Sequence, residues 1–198
     1  MTRRFQFLLL AVLLLFVPSS VQAQGEASPR VGTDAKEFSL RLKGLDGKSY
    51  DLAEMRGEVV MVSFGATWCA PCVWELAALE ELKLEYKEKP VRFLWVSIEG
   101  VKETSNSLLR HYAKSYRLTI PVLRDPLKET FAQFSDRVRI PLVVFFDHKG
   151  QYVAPSHRGM SQEPSEYKQL MRQRLDTLLR NAQSPDSANE TKATTKKD

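Results

Sequence analysis

Val59-Val-Met-Val-Ser-Phe64, Gly65-Ala-Thr-Trp-Cys-Ala-Pro-Cys72 and Val73-Trp-Glu-Leu-Ala-Ala-Leu-Glu-Glu-Leu-Lys-Leu-Glu-Tyr86 follow one another without a break, and their reading decides the fold. The first run is almost wholly apolar, as a strand covered on both faces requires. The last carries Leu76, Leu79, Leu82 and Tyr86 at helical spacing, with acids and lysines on the other side. It predicts a helix from Cys69 to Lys89. Two cysteines therefore sit where a buried strand passes into a helix.

That placement has chemical consequences. The unpaired N–H groups and partial positive charge of a helix N-terminus favour a thiolate at Cys69. Pro71 is tolerated in the first helical turn, which has no N–H partner to lose. A disulfide between Cys69 and Cys72 closes a very short loop and adds little cross-linking stability, so it suits opening and closing better than stapling. The expected roles are a nucleophilic Cys69 at an exposed tip, which attacks a substrate disulfide, and a buried Cys72 one turn deeper, which resolves the mixed disulfide. An inert bridge or a pair of buried thiols is the alternative.

Outward from this core, Val91-Arg-Phe-Leu-Trp-Val-Ser-Ile98 reads as a second buried strand, with Trp95 in the core, and residues 103–117 as a helix with Leu108, Leu109 and Tyr112 inward. Pro121 to Arg124 gives a short strand, Lys128 to Phe134 a short helix, and Pro141-Leu-Val-Val-Phe-Phe-Asp147 a third apolar strand. His148-Lys149-Gly150 turns the chain into an antiparallel return, Gln151 to Ala154. Glu163 to Arg180 closes the domain as a helix with Tyr167, Leu170, Met171, Leu175 and Leu178 inward. Upstream, Phe38 to Leu42 and Ser49 to Asp51 flank the turn residues Asp46-Gly47 and form a small hairpin. The order is α/β, with a mixed sheet and helices on both of its faces.

The composition agrees with one globular domain. The chain has 198 residues, 43% hydrophobic and 27% charged, which is ordinary for a folded protein. Two cysteines are too few for a stapled scaffold or a zinc ribbon. His111, His148 and His157 are scattered and lack metal-ligand spacing, so no metal is expected. No glycine-rich phosphate loop follows a strand, and the thiols themselves carry electrons, so no cofactor is expected.

Arg3 and Arg4, the apolar stretch Phe5 to Val17, Pro18 and the small-residue site Val21-Gln22-Ala23 have the order of a secretory signal peptide cut after Ala23. The apolar stretch is short of the roughly 18–20 residues that span a bilayer. An uncleaved N-terminal membrane anchor is the alternative. Cleavage takes away two arginines and no acid, so the formal net charge falls from +5 to +3, too little to argue for nucleic acid. The expected organisation is a signal peptide over 1–23, a linker over 24–34, a domain over 35–181 and a disordered tail over 182–198. Export to the periplasm or beyond places the thiol pair in an oxidising compartment.

Phe64-Gly-Ala-Thr-Trp-Cys-Ala-Pro-Cys72, with Arg139-Ile140-Pro141 before the last long strand and Asp147-His-Lys-Gly150 after it, resembles the thioredoxin superfamily. The lead-in from Ala35 to Phe38, Asp46-Gly47-Lys48 and the continuation Cys72-Val-Trp-Glu75 resemble its TlpA/ResA-like branch. Members of that branch are exported bacterial thiol–disulfide oxidoreductases, often reductants in cytochrome c assembly. The likeness runs from about Val31 to Arg180. It implies a thioredoxin-like fold, with an N-terminal hairpin and an insertion between Ile98 and Arg124.

The resemblance also assigns residues. Pro141 matches the family's cis-proline, a rare and deliberate bond, and the backbone of Ile140 is expected to pair with an extended substrate. A trans proline at the start of a strand is the other reading. Trp68 matches the residue that flanks the site. Glu75 matches a buried-pocket glutamate that accepts the Cys72 proton, with its own pKa raised by burial. A solvated first-turn glutamate is the competing reading. Ser63 stands where cytoplasmic thioredoxins carry a buried acid, and Ala77 where the branch often has proline. Trp74 is unusual so soon after the second cysteine.

The expected function is an exported enzyme that reduces protein disulfides and is re-reduced by a membrane-embedded donor of thiols. Two others compete: a thiol oxidant built on the same motif, and a non-catalytic module holding a peptide or a metal. A peroxidase of the peroxiredoxin type fits less well, because Ala66 occupies the position of its threonine.

Overall fold

The computed structural model describes residues 38–184. The expected signal peptide and linker, and the tail beyond Ser184, lie outside the described residues. The described chain runs β1 (Arg41–Gly44), β2 (Ser49–Asp51), a 3-10 helix (Leu52–Met55), β3 (Val59–Gly65), α1 (Ala70–Glu85), β4 (Val91–Ser97) and α2 (Asn106–Ser115). It continues through β5 (Val122–Arg124), a second 3-10 helix (Phe131–Gln133), β6 (Leu142–Phe146), β7 (Tyr152–Arg158) and α3 (Pro164–Ala182).

The strands form one mixed sheet in the order β2-β1-β5-β4-β3-β6-β7. β3 lies parallel to β4, and β4 parallel to β5, while β6 and β7 run antiparallel. Every residue of β3 is buried, as its unbroken apolar run requires. Alternation along the strands then builds two cores. Met61, Phe93, Trp95, Val143 and Phe145 face one way, against Leu76, Leu79 and Leu82 of α1, Leu109 and Tyr112 of α2, and Tyr167, Met171 and Leu175 of α3. Val60, Val62, Phe64, Leu94, Val96, Leu142, Val144 and Phe146 face the other way, against Leu52, Met55 and Phe131. Both faces are thus covered by helical segments, but unequally. The three α-helices pack into one core, and the two 3-10 helices into the other.

Several expected boundaries move. α1 stops at Glu85, short of Lys89, with the Tyr86 N–H closing its last turn on Leu82 and Leu84. α2 is shorter than residues 103–117, because the Ser105 hydroxyl accepts from the Leu108 N–H and sets the start of the helix. Leu108, expected inward, is exposed, as is Leu170 in α3, and Leu179 is buried in addition to the residues expected there. The helix expected over Lys128 to Phe134 is a single 3-10 turn, Phe131–Gln133. The inserted segment supplies α2 and β5, which extends the sheet by one parallel strand and receives β1 on its far edge.

Candidate active site

β3 ends at Gly65, where a side chain would meet the Trp95 indole: a Cβ there falls 2.7 Å from Nε1. With that close approach the chain turns through Ala66, Thr67 and Trp68 into α1. Cys69 is the N-cap, in extended conformation, with Pro71 in the first turn and no acid beside it. Cys69 and Cys72 are joined in a disulfide with Cα atoms 5.3 Å apart. The expected exposed tip is nearly covered: Cys69 is 4% accessible and Cys72 not at all. Ala66 and Ile140 pack against the pair and account for this. Of the two, Cys69 keeps what access there is.

The Ile140–Pro141 bond is cis, and the Pro141 carbonyl accepts from the Gly159 N–H at 2.9 Å. Half-buried Ile140 thus borders the disulfide from the β6 side.

Glu75 lies wholly buried on α1, three residues past Cys72. A solvated first-turn glutamate is excluded. Ser63 Oγ donates to its Oε2 at 2.6 Å, and the Tyr167 hydroxyl donates to Oε1 at 2.8 Å. Burial pushes its pKa up to about 7, against the opposing pull of these two hydrogen bonds. The Tyr167 phenol is held well above its ordinary range by burial and by the carboxyl beside it. Ser63, which by the resemblance stands where cytoplasmic thioredoxins carry a buried acid, is thus a hydrogen-bond donor to Glu75. α1 runs unbroken through Ala77, without the proline of the branch.

A second buried carboxylate went unread in the sequence. Glu99, just past β4, is 2% accessible and accepts four hydrogen bonds. Thr67 gives two, from its N–H to Oε2 at 2.9 Å and from Oγ1 to Oε1 at 2.6 Å. Ser97 Oγ adds one at 3.0 Å and Thr104 Oγ1 another at 2.7 Å. Burial opposes the charge, but the four donors outweigh it and hold the carboxyl below its ordinary value. The signal available beforehand was an acid at the end of a buried apolar strand, beside the expected active-site loop.

Residues 30–171 match the sequence profile of the family described as Redoxin. The chain belongs to the Redoxin family. Among its relatives is the thiol-disulfide oxidoreductase ResA of Oceanobacillus iheyensis, 32% identical over 60% of this chain and 60% of the relative. Another is the thioredoxin-like protein YneN of Bacillus subtilis, 34% identical over 63% of this chain and 70% of the relative. Among solved structures, the exposed lipoprotein thioredoxin of Streptococcus pneumoniae is 30% identical. It superposes with a TM-score of 0.56 over 68% of this chain and 98% of the other. The fold is thioredoxin-like and the likeness is ResA-like, with the two cysteines of a thiol–disulfide oxidoreductase in place.

Around the disulfide of this Redoxin chain, Trp68 and Trp74 are both well exposed, at 65% and 60%. A shallow pocket of about 250 Å³ opens between the active-site loop and α2, lined by Thr67, Leu108, His111, Tyr112, Ser115 and Tyr116. His157 on β7 is half-buried, with its ring 5.5 Å from that of Tyr167, and burial lowers its pKa. His148 sits in the turn after β6, away from any metal-like cluster; none occurs among the described residues.

Proposed function

We propose that this thiol–disulfide oxidoreductase is an exported reductant of protein disulfides, with Cys69 as nucleophile, Cys72 as resolving thiol and Glu75 as proton acceptor. Cys69 thiolate attacks one sulfur of the substrate disulfide; that S–S bond breaks, and the departing substrate thiolate takes up a proton. Cys72 passes its proton to Glu75, and its thiolate attacks the Cys69 sulfur of the mixed disulfide. The second substrate thiolate leaves, two electrons have passed to the substrate, and Cys69–Cys72 is oxidised. A membrane-embedded dithiol donor then restores the pair.

The observation that carries this reading is Glu75, wholly buried on α1 three residues past Cys72 and held by the Ser63 and Tyr167 hydroxyls, where burial raises its pKa to about 7. A carboxyl poised near neutrality can both take and release a proton at working pH. Trp68, Ile140 and Pro141 would receive an extended substrate segment, the Ile140 backbone pairing as an added strand does. Export rests on Arg3-Arg4, the apolar run Phe5 to Val17 and the site at Ala23. A role in cytochrome c maturation rests on the likeness to the ResA-like branch.

The test is thiol trapping in cells combined with the Cys72→Ser variant. A reductant holds Cys69 and Cys72 mostly reduced in the cell, and Cys72→Ser accumulates mixed disulfides through Cys69. A pair found stably oxidised would overturn the reductant reading in favour of an oxidant. Full biological activity in a Cys69→Ser, Cys72→Ser double variant would favour a binding module.

A further inference from the structure

We propose that Glu99 is a positioning residue for the thiol chemistry: its buried carboxylate fixes the loop that carries Cys69 and ties that loop to the inserted segment. The inference deepens the proposed thiol exchange and rests on Cys69 being its nucleophile.

The four donors come from three separate stretches of chain. Thr67 belongs to the loop between β3 and α1, Ser97 ends β4, and Thr104 lies in the approach to α2. Each carboxylate oxygen takes two of the bonds, so the acceptor capacity of Glu99 is used in full. Thr67 is held at both its N–H and its hydroxyl, which fixes the residue as a unit and not by one rotatable contact. Only Trp68 separates it from Cys69, at most about 7 Å of chain between Cα atoms.

Arg124 completes the arrangement from β5. Its guanidinium donates to the Glu99 main-chain carbonyl at 2.9 Å and to Asn106 Oδ1 at 2.8 Å, at the first residue of α2. The charged and titratable groups that face Glu99 are thus Arg124 on β5 and the Tyr112 phenol on α2, whose field each feels. Glu75 is the other acid near the pair, on α1. The same loop residue, Thr67, forms the lip of the pocket against α2. The inserted segment is therefore joined to the active-site loop through the Glu99 carboxylate, beside the Ile98 N–H bond to the Gly65 carbonyl at the end of β3.

A fixed negative charge at this distance opposes a thiolate on Cys69, while the helix N-terminus favours it. Glu99→Gln keeps the size and most of the bonds, because the threonine hydroxyls can rotate to accept, and removes only the charge. Glu99→Ala removes both charge and clamp. With both proteins chemically reduced, the rate of Cys69 alkylation is followed against pH. The Glu99→Gln midpoint is expected to move to lower pH, with alkylation at pH 7 about threefold faster than in the wild type. Insulin-disulfide reduction should fall about tenfold in Glu99→Ala relative to Glu99→Gln, since only the former frees the loop.

A Glu99→Gln profile that superimposes on the wild type, or equal turnover in the two variants, overturns the proposal. If Glu99→Ala does not fold, the Glu99→Gln profile decides alone. Because alkylation is measured on chemically reduced protein, it reads Glu99 whether or not the protein reduces substrates. A wild type inactive on insulin would instead count against the reductant reading.

Discussion

Glu75 and Glu99 are two buried acids around one active site, and they hold their protons in opposite ways. Glu75 receives two hydroxyl donors, and burial pushes its pKa up to about 7. Glu99 receives four donors, one of them a backbone N–H that cannot reverse its polarity, and stays below its ordinary value. Burial alone therefore does not decide the state of a carboxyl. The number and kind of donors does, since each hydrogen bond to the charged form offsets part of its lost hydration. Glu75 is left free to exchange a proton and Glu99 is left as a fixed charge.

The largest expected effect falls on turnover. Glu75→Gln removes the proton acceptor, and resolution of the mixed disulfide at pH 7 should slow by roughly 10²–10³-fold, as loss of a general base does. Stopped-flow decay of a mixed disulfide measures this, and an unchanged rate would remove Glu75 from the mechanism and end its contrast with Glu99.

Stability against pH comes next. The folded Glu75 value of about 7 exceeds its ordinary 4.5, so the folded state binds more protons between them. Stability from this group therefore falls as pH rises through that window, by on the order of 3 kcal/mol. Glu75→Gln should flatten the fall in urea titrations between pH 4.5 and 7. Glu99 has the opposite sign: its depressed value gives stability that is present above the ordinary carboxylate range and is lost on acidification. A wild-type slope retained in Glu75→Gln would refute the assignment.

The smallest effect sharpens the argument about donors. Tyr167→Phe takes one of the two hydroxyls from Glu75 and should raise its pKa further. The carboxyl stretch in infrared titration reads this directly, and a downward shift would contradict the donor-counting account.

Much of this site was legible beforehand because its signals are local. The cysteine pair, Pro71, the apolar run of β3 and the helical spacing of α1 lie within 28 residues of one another (Val59 to Tyr86) and report on themselves. Glu75 was legible through the resemblance of Cys72-Val-Trp-Glu75 to the TlpA/ResA-like branch. Glu99 was not, because what defines it is a contact with Thr67, 32 residues away in the chain, and no periodicity encodes such a pairing. The partners of Glu75 were hidden for the same reason, Tyr167 lying 92 residues further on. Leu108 and Leu170 show a related limit. Both fit a helical apolar stripe, yet each lies at its edge, where the neighbouring Leu109 and Met171 already fill the space against the sheet.

The Tyr167 contact also bears on the order in which the protein becomes competent. Synthesis delivers Cys69, Cys72, Ser63 and Glu75 long before the last helix. Until α3 docks, Glu75 lacks the Tyr167 hydroxyl and keeps only the Ser63 hydroxyl of its two partners. A growing chain thus carries its two thiols and Glu75 some time before it carries the Tyr167 partner of that acid. The final helix, far along the chain from the cysteines, completes the surroundings of Glu75.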